Sequence, residues 1–351
     1  MFVDHFVIHS YNSINLRKKS VVNIGKKNVS MKDIASNLDV SIVSVSKAIN
    51  NKDGVSDDLR RKILDTAYEM GYIAQKRDSA DTILKIAYIT PKKFYFETEQ
   101  FYSQIFYHIN EKCVQENKML SFIIVNPEDE RRLLMPPIIS GDHFDGIFIG
   151  GEMSDQYIYS LSDLDIPAVC IDFYKPDMKM DCVIIDNFYA GYNAATYLIR
   201  KGHGRIGFVG HSVQTTSILD RFFGYRKALY QYDIEFKNEW HLIHMDDMIL
   251  PTELPTAFVC HNDETAVAFI KQLNDHGFDV PGDISIISFD NLDISKKSEP
   301  PLTTVDINRE RFAEKAFSQL GNRMNDRKQP YQRVTLDICL IERSSTRDFK
   351  K

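Results

Sequence analysis

The sequence predicts a chain of α + α/β class: a small helical block near the N-terminus, then a large domain of parallel sheets. Three observations predict it. Residues 30–72 compress three short amphipathic patterns into one block, the first two separated only by a tight turn. From Lys85 onward, short apolar runs alternate with longer amphipathic stretches, the pattern of strands buried on both faces and joined by helices. The 351 residues, 43% hydrophobic and 26% charged, are globular in balance and leave room for two or more folded units.

Each helix of the block has its own signals. Ser30 precedes the first, with Asp33 three positions on, as in a capping box. Ile34, Ala35 and Leu38 share one face, and Asp39 and Val40 make the turn. Ser41 caps a second helix, Ile42 to Ile49, whose inward residues are Val45, Ala48 and Ile49. Asn50, Asn51, Asp53 and Gly54 break the pattern. Ser56 caps the third helix, Asp57 and Asp58 lie at the positive end of its dipole, and Gly71 stops it. Ile63, Leu64, Ala67 and Met70 form its apolar stripe. Two short helices around a tight turn make a helix–turn–helix, whose second helix enters the DNA major groove. Its outward face would carry Ile42, Val43, Ser46 and Lys47. Apolar side chains suit thymine methyls, and a lysine suits guanine acceptors or phosphate. Ser30, Ser41, Ser44 and Asn50 are candidate phosphate contacts. The plainer reading makes all of these caps and solvent-facing residues of a small bundle.

In the large domain, KIAYIT, MLSFIIV, GIFIGG, IPAVCID, RIGFVG, TAFVC and DISIISFD read as strands. FYSQIFYHINEKCVQEN, ATYLIRKG, FFGYRKALYQY and DETAVAFIKQLNDHG read as helices. Ligands of parallel sheets bind at the carboxyl ends of the strands, which singles out Thr90, Asp172, Asn262 and Asp290. Asn262 and Asp290 also suit simple caps of the next turn or helix. Trp240, the one tryptophan, reads as packing.

The helical block resembles the DNA-binding headpiece of the LacI/GalR family of bacterial transcriptional regulators, through KDIA, VSKAIN (Val45–Asn50) and LRRKILDTAYEMGY. Further matches follow in the family's order: DNFYAGYNAATYLIRKGHGRIGFVG, DRFFGYRKAL, PTAFVCHNDETAVAF, VPGDISIISFDN and PPLTTVDINRERFAEKAF. The resemblance implies a helix-turn-helix headpiece at 29–73, a linker at 74–84 and a two-lobed periplasmic-binding-protein-like α/β domain at 85–345, with a tail at 346–351. It implies crossings between the lobes near Asp186, Asn291 and Leu320. A small polar effector, a sugar or sugar derivative, would bind between them through Asp172, Arg221, Asn262 and Asp290. Arg221 would give a planar donor fork, though it equally suits a structural ion pair, and the aspartates and Asn262 would take paired hydroxyls. Tyr95 and Phe96, with Phe94, Phe101, Tyr102, Phe173 and Tyr174 as further candidates, would supply an apolar wall. The implied function is a repressor acting as a homodimer on a near-palindromic double-stranded DNA operator. Three departures stand out. The linker IAQKRDSADTILK lacks an evident leucine wedge and carries Asp78 and Asp81, which repel phosphates. Lys47 stands where many members have Arg, and loses the bidentate fork. The stretch from His241 to Pro255 is short for the helix usually found before the TAFVC strand.

Other classes fit less well. The formal charge of −6 means that DNA affinity must come from local placement. Cys113, Cys170, Cys182, Cys260 and Cys339 lie scattered, as reduced thiols of a cytoplasmic protein do, and imply no metal site. No cofactor is expected. No apolar run is long enough for a membrane span, and the start MFVDHFVI is too broken for a signal peptide. Residues 1–28, with Arg17, Lys18, Lys19, Lys26 and Lys27 against Asp4 alone, read as a disordered extension rather than a DNA-contacting arm. Gly210-His211-Ser212-Val213-Gln214 begins like a nucleophile elbow, but Gln214 replaces the closing glycine, so no enzyme is expected. A solute-binding or signalling protein without DNA function is the alternative reading, and the headpiece argues against it.

Overall fold

The structure, a computed structural model, describes residues 30–49, 54–70, 83–94, 100–141, 144–211, 215–243 and 250–349. Asn50, Gly71, Tyr95, Phe96, Ser212 to Gln214, residues 1–28 and most of the linker lie outside the described residues. The chain splits between Ile83 and Leu84 into two compact units.

The first unit holds α1 (Met31–Leu38), α2 (Ile42–Ile49) and α3 (Asp57–Glu69). The turn after α1 works because Asp39 accepts a left-handed backbone, φ 53°, which lets the Val40 amide reach the Ala35 carbonyl at 3.0 Å. Ile34, Ala35, Val45, Ala48, Ile63 and Ala67 close the core. Leu59, not Leu64, joins the core from α3, because Leu59, Ile63 and Ala67 lie one helical repeat apart and Leu64 lies a step round the helix. The Arg60 guanidinium donates to the Lys47 and Ala48 carbonyls (3.4 and 3.3 Å), tying α3 to the C-terminal end of α2.

The second unit is two α/β lobes. The first runs β1 (Lys85–Pro91), α4 (Gln100–Gln115), β2 (Met119–Val125), α5 (Pro127–Arg131), α6 (Pro137–Gly141), β3 (Gly146–Gly150), α7 (Asp155–Ser162), β4 (Ala168–Ile171) and β5 (Asp181–Ile185). The second runs α8 (Asn187–Arg200), β6 (Ile206–Val209), α9 (Thr216–Gln231), β7 (His241–Leu242), β8 (Ala257–Cys260), α10 (Asp263–Asp275), β9 (Ser285–Asp290), α11 (Asp293–Lys297) and β10 (Thr303–Asp306). The chain then returns through α12 (Arg309–Asn325) and β11 (Arg333–Leu336) to the first lobe, and ends with β12 (Cys339–Ile341) in the second. The sheets are ordered β11-β5-β4-β3-β1-β2 and β12-β10-β9-β8-β6-β7. All pairings are parallel except β10 with β12. Each sheet is buried on both faces, as its continuous apolar strands require.

The topology corrects two expectations. The first crossing lies at Asp186, whose side chain caps α8 by accepting from the Tyr189 amide at 2.9 Å. The second lies not near Asn291 but between β10 and α12, because β10 pairs in register with β9 and stays in the second lobe. The third lies not near Leu320, which is buried in the middle of α12 against the first lobe, but between β11 and β12. The supposed tail is also knitted in. The Thr346 hydroxyl lies 3.0 Å from that of Thr303, and the amides of Arg347 and Phe349 donate to Ser285 Oγ and the Lys201 carbonyl. Between α9 and β8 the described residues contain a 3-10 turn at Asn238–Trp240 and the two-residue β7, and no α-helix. Trp240 is buried there, its indole donating to the Glu253 carbonyl. No described helix is long and apolar enough to cross a membrane, and no cluster of three or more His, Cys, Asp or Glu among the described residues suits a metal ion.

Candidate nucleic-acid interface and ligand cleft

In the headpiece, α2 presents its first turn to solvent. Ile42 and Val43 are 48% and 64% exposed, unusual for β-branched apolar residues that could have joined the core. Ser41 is exposed and accepts from the Ser44 amide (3.0 Å), with the two hydroxyls 2.9 Å apart. Ser30 donates its amide and hydroxyl to Asp33 (2.7 and 2.6 Å), the reverse half of a capping box. Ser46 and Lys47 are half-buried rather than fully outward. The cause for Lys47 is its course over Gly54, where an added Cβ would meet Nζ at 2.9 Å. Gly54 has φ 95° there, a backbone that glycine adopts without strain.

In the second unit a cavity of 340 Å³ is lined by residues of both lobes. Phe94, Phe101 and Tyr102 give an aromatic wall from the first lobe, beside Lys93 and Asp172. Arg221, Asn262 and Asp290 from the second lobe line it too, with Thr215, Ser217, His261 and Thr265. The structure thus brings Asp172, Arg221, Asn262 and Asp290 together. Asn262 also caps α10, accepting from the Thr265 amide at 2.8 Å. Asp172 and Asp290 end β4 and β9 with left-handed backbone, φ 66° and 98°, strain of the kind that gathers at binding sites.

Arg221 is held by its surroundings. Its guanidinium donates to Asn187 Oδ1 (2.8 Å), the His261 carbonyl (2.6 Å) and Asp290 Oδ1 (3.4 Å), and stacks on the Phe289 ring. The backbone is fixed by glycines. A Cβ on Gly191 of α8 would lie 1.9 Å from the Arg221 carbonyl, and one on Gly224 of α9 would lie 1.9 Å from the Phe188 carbonyl. Two reciprocal glycines therefore let α8 and α9 cross backbone to backbone.

Burial dominates the electrostatics. It pushes the Asp172 carboxyl up to about 7, with Arg221 opposing and Asp290 adding to the rise. It raises Asp290 as well, against Arg221 and Arg309. It pushes His261 down to about 4, helped by Arg221, so that imidazole is neutral. Asp172 accepts from the Tyr102 hydroxyl at 3.3 Å through Oδ2, while its buried Oδ1 has no hydrogen-bond partner among the described residues.

Sequence reasoning missed Lys93, Thr215, Ser217, His261 and Thr265. Thr215 and Ser217 stand where the loop after β6 becomes α9, so the strand-end rule could have found them.

Residues 30–75 match the family model described as bacterial regulatory proteins, lacI family. Residues 195–346 match the periplasmic binding protein-like domain. The chain is 27% identical over 339 residues to the HTH-type transcriptional repressor PurR of Actinobacillus pleuropneumoniae serotype 3, covering 92% of this chain and 99% of that one. Among solved structures it is similar to a transcriptional regulator CelR–cellobiose complex (TM-score 0.67, 22% identity, 90% and 99% of the two chains). It is also similar to the Lac repressor dimer bound to operator and the anti-inducer ONPF (TM-score 0.65, 20% identity, 92% and 100%). The chain belongs to the LacI family of bacterial regulatory proteins, a helix–turn–helix headpiece followed by a two-lobed periplasmic-binding-protein-like domain.

Proposed function

We propose that this protein is a transcriptional repressor whose operator affinity is set by a small polar effector bound between its α/β lobes. The observation that carries the reading is the pairing, in one chain, of an α2 that exposes Ile42 and Val43 with a cavity between two lobes lined by Asp172, Arg221, Asn262 and Asp290. On α2, Ile42 and Val43 would touch base edges, Lys47 a base or phosphate, and Ser30, Ser41, Ser44, Ser46 and Asn50 the backbone. In the cleft, Asp172, Asn262 and Asp290 would take ligand hydroxyls. Arg221 would hold them in place, and Phe94, Phe101 and Tyr102 would cover an apolar face. Tyr95 and Phe96 belong to the same proposed wall by sequence position alone. That arrangement suits a sugar or sugar derivative, and the similar regulator complex with cellobiose supports the class. Two copies would place two headpieces on half-sites about 34–36 Å apart. The exposed apolar α2 residues Ile42 and Val43 serve DNA and no chemistry, so the protein is read as a regulator and not an enzyme.

Mobility-shift titrations on DNA from the gene's own promoter region test this, run at several salt concentrations. The expected result is sequence-selective, salt-sensitive binding that a cleft ligand changes. Absence of selective binding at low salt would leave only the solute-binding alternative.

A further inference from the structure

The first two turns of α9 carry two adjacent stripes with different partners. Thr215, Ser217, Ile218 and Arg221 line the cavity. Thr216 and Asp220, one helical repeat apart on the neighbouring stripe, are gripped by the opposite lobe. Glu152, in the loop after β3, is buried and accepts at Oε2 from the Thr216 amide (2.7 Å) and hydroxyl (3.0 Å). The Tyr174 hydroxyl, in the loop after β4, donates to Asp220 Oδ2 at 3.2 Å. Glu152 is therefore an anion from one lobe docked on the N-terminal end of a sixteen-residue helix of the other, where free amides and the helix dipole favour negative charge. Its own lobe neutralises it through Lys175, which also pairs with Asp155 at 2.6 Å.

We propose that Glu152 is a closure clasp, a side chain that fixes how far the two lobes stand apart and so regulates the cavity between them. A carboxylate seated on a single helix start is directional. Opening the lobes by a few ångströms breaks both Thr216 bonds together and leaves Glu152 with Lys175 alone. The bonds are charge-assisted, and each is stronger than a neutral hydrogen bond. Because α9 carries the cavity residues and the gripped residues on one rigid rod, seating Glu152 and seating a ligand against Ser217 and Arg221 favour the same placement of the helix. This link to ligand affinity rests on the cavity being the effector site. The clasp itself does not.

The test reads lobe separation without needing a ligand. The full chain is labelled at Arg132→Cys in the first lobe and Lys296→Cys in the second, both exposed, with Cys339→Ser removing the exposed thiol. Distance distributions are measured by double electron–electron resonance for the parent, Glu152→Gln, Glu152→Ala and Thr216→Val. The expected result is a shift toward longer distances, with the open-to-closed ratio rising about tenfold in Glu152→Ala, the worth of an ordinary charge-assisted hydrogen bond. Thr216→Val, which keeps the amide, should show a smaller shift, and Glu152→Ala combined with Thr216→Val, measured alongside, no more than Glu152→Ala alone. Distributions in Glu152→Gln and Thr216→Val that superpose on the parent overturn the clasp, whatever becomes of Glu152→Ala. Loss of DNA binding with lengthened distances in Glu152→Ala would instead keep the clasp, and failure to find any operator would leave these distances untouched.

Discussion

Asp172 is the residue on which the cleft's chemistry turns. Its native carboxyl keeps its proton up to about 7, whereas the unfolded chain releases it near 3.8. Between those values the folded state binds more protons, so this group's contribution to stability is full at low pH and is lost as pH rises through about 7. Asp172→Asn removes that cost and keeps an acceptor for Tyr102. The variant should melt several degrees above the parent at about pH 8, with the gap closing toward about pH 4. Calorimetry at both pH values checks it, and a gap that widens on acidification would contradict the burial argument. Arg221 behaves oppositely. Arg221→Ala strands the buried Asp290 carboxyl and should cost about 3–5 kcal/mol in denaturant unfolding. Asp172 was legible as a polar side chain closing an apolar strand, whereas Arg221, inside α9, was reached only through the family resemblance, since a helix arginine equally suits a structural ion pair. Lys93 was not legible, because surface lysines are common and only the fold turns this one toward the cavity.

At the scale of elements, the α8–α9 crossing sets the position of everything α9 presents. Gly191→Ala or Gly224→Ala places a methyl carbon where a backbone carbonyl already lies, which no rotamer change can relieve. Each should lower stability by about 2 kcal/mol or more and weaken ligand response by moving Arg221; thermal melts and ligand titrations read the two effects. On α2 the expectation reverses. Ile42→Ala and Val43→Ala touch no core, so melting should stay within about 0.5 kcal/mol of the parent while operator affinity falls. Equal loss in specific and non-specific DNA would reassign these side chains from base edges to general contact. The three headpiece helices were readable because caps and stripes are local signals. Strands β5, β10, β11 and β12 escaped because segments of three to five residues such as RVTL and CLI are too short to carry a pattern, and partners far away in sequence make them strands. Helix α8 begins at Asn187, eight residues before the ATYLIRKG pattern, because the Asp186 cap and the packing of Ala190 and Gly191 on α9 extend it.

At the scale of the molecule, the second and third crossings lie well past the positions read from motif order, and the difference bears on coupling. The second crossing places Arg309 at the start of α12, where it donates to the carbonyls of Asp290 and Asn291 (3.2 Å for the latter) and to Gln104 of α4 (2.6 Å). One guanidinium thus joins the strand end bearing a cavity aspartate to the helix bearing Phe101 and Tyr102. Ligand contacts on either lobe therefore act on a shared joint, the physical requirement for an effector to prefer one lobe arrangement. Operator and effector must then be linked reciprocally: if effector changes operator affinity by some factor, operator changes effector affinity by the same factor, commonly 5- to 150-fold. Calorimetric titration of a cleft ligand with and without a saturating operator duplex gives one ratio, and operator binding with and without ligand gives the other. The two ratios should agree. Arg309→Gln, which keeps a donor but cannot span both carbonyls and Gln104 at once, should shrink both toward one while leaving each separate affinity within a few-fold of the parent. A variant that keeps both ratios intact would show that the coupling runs through other contacts between the lobes and not through this joint.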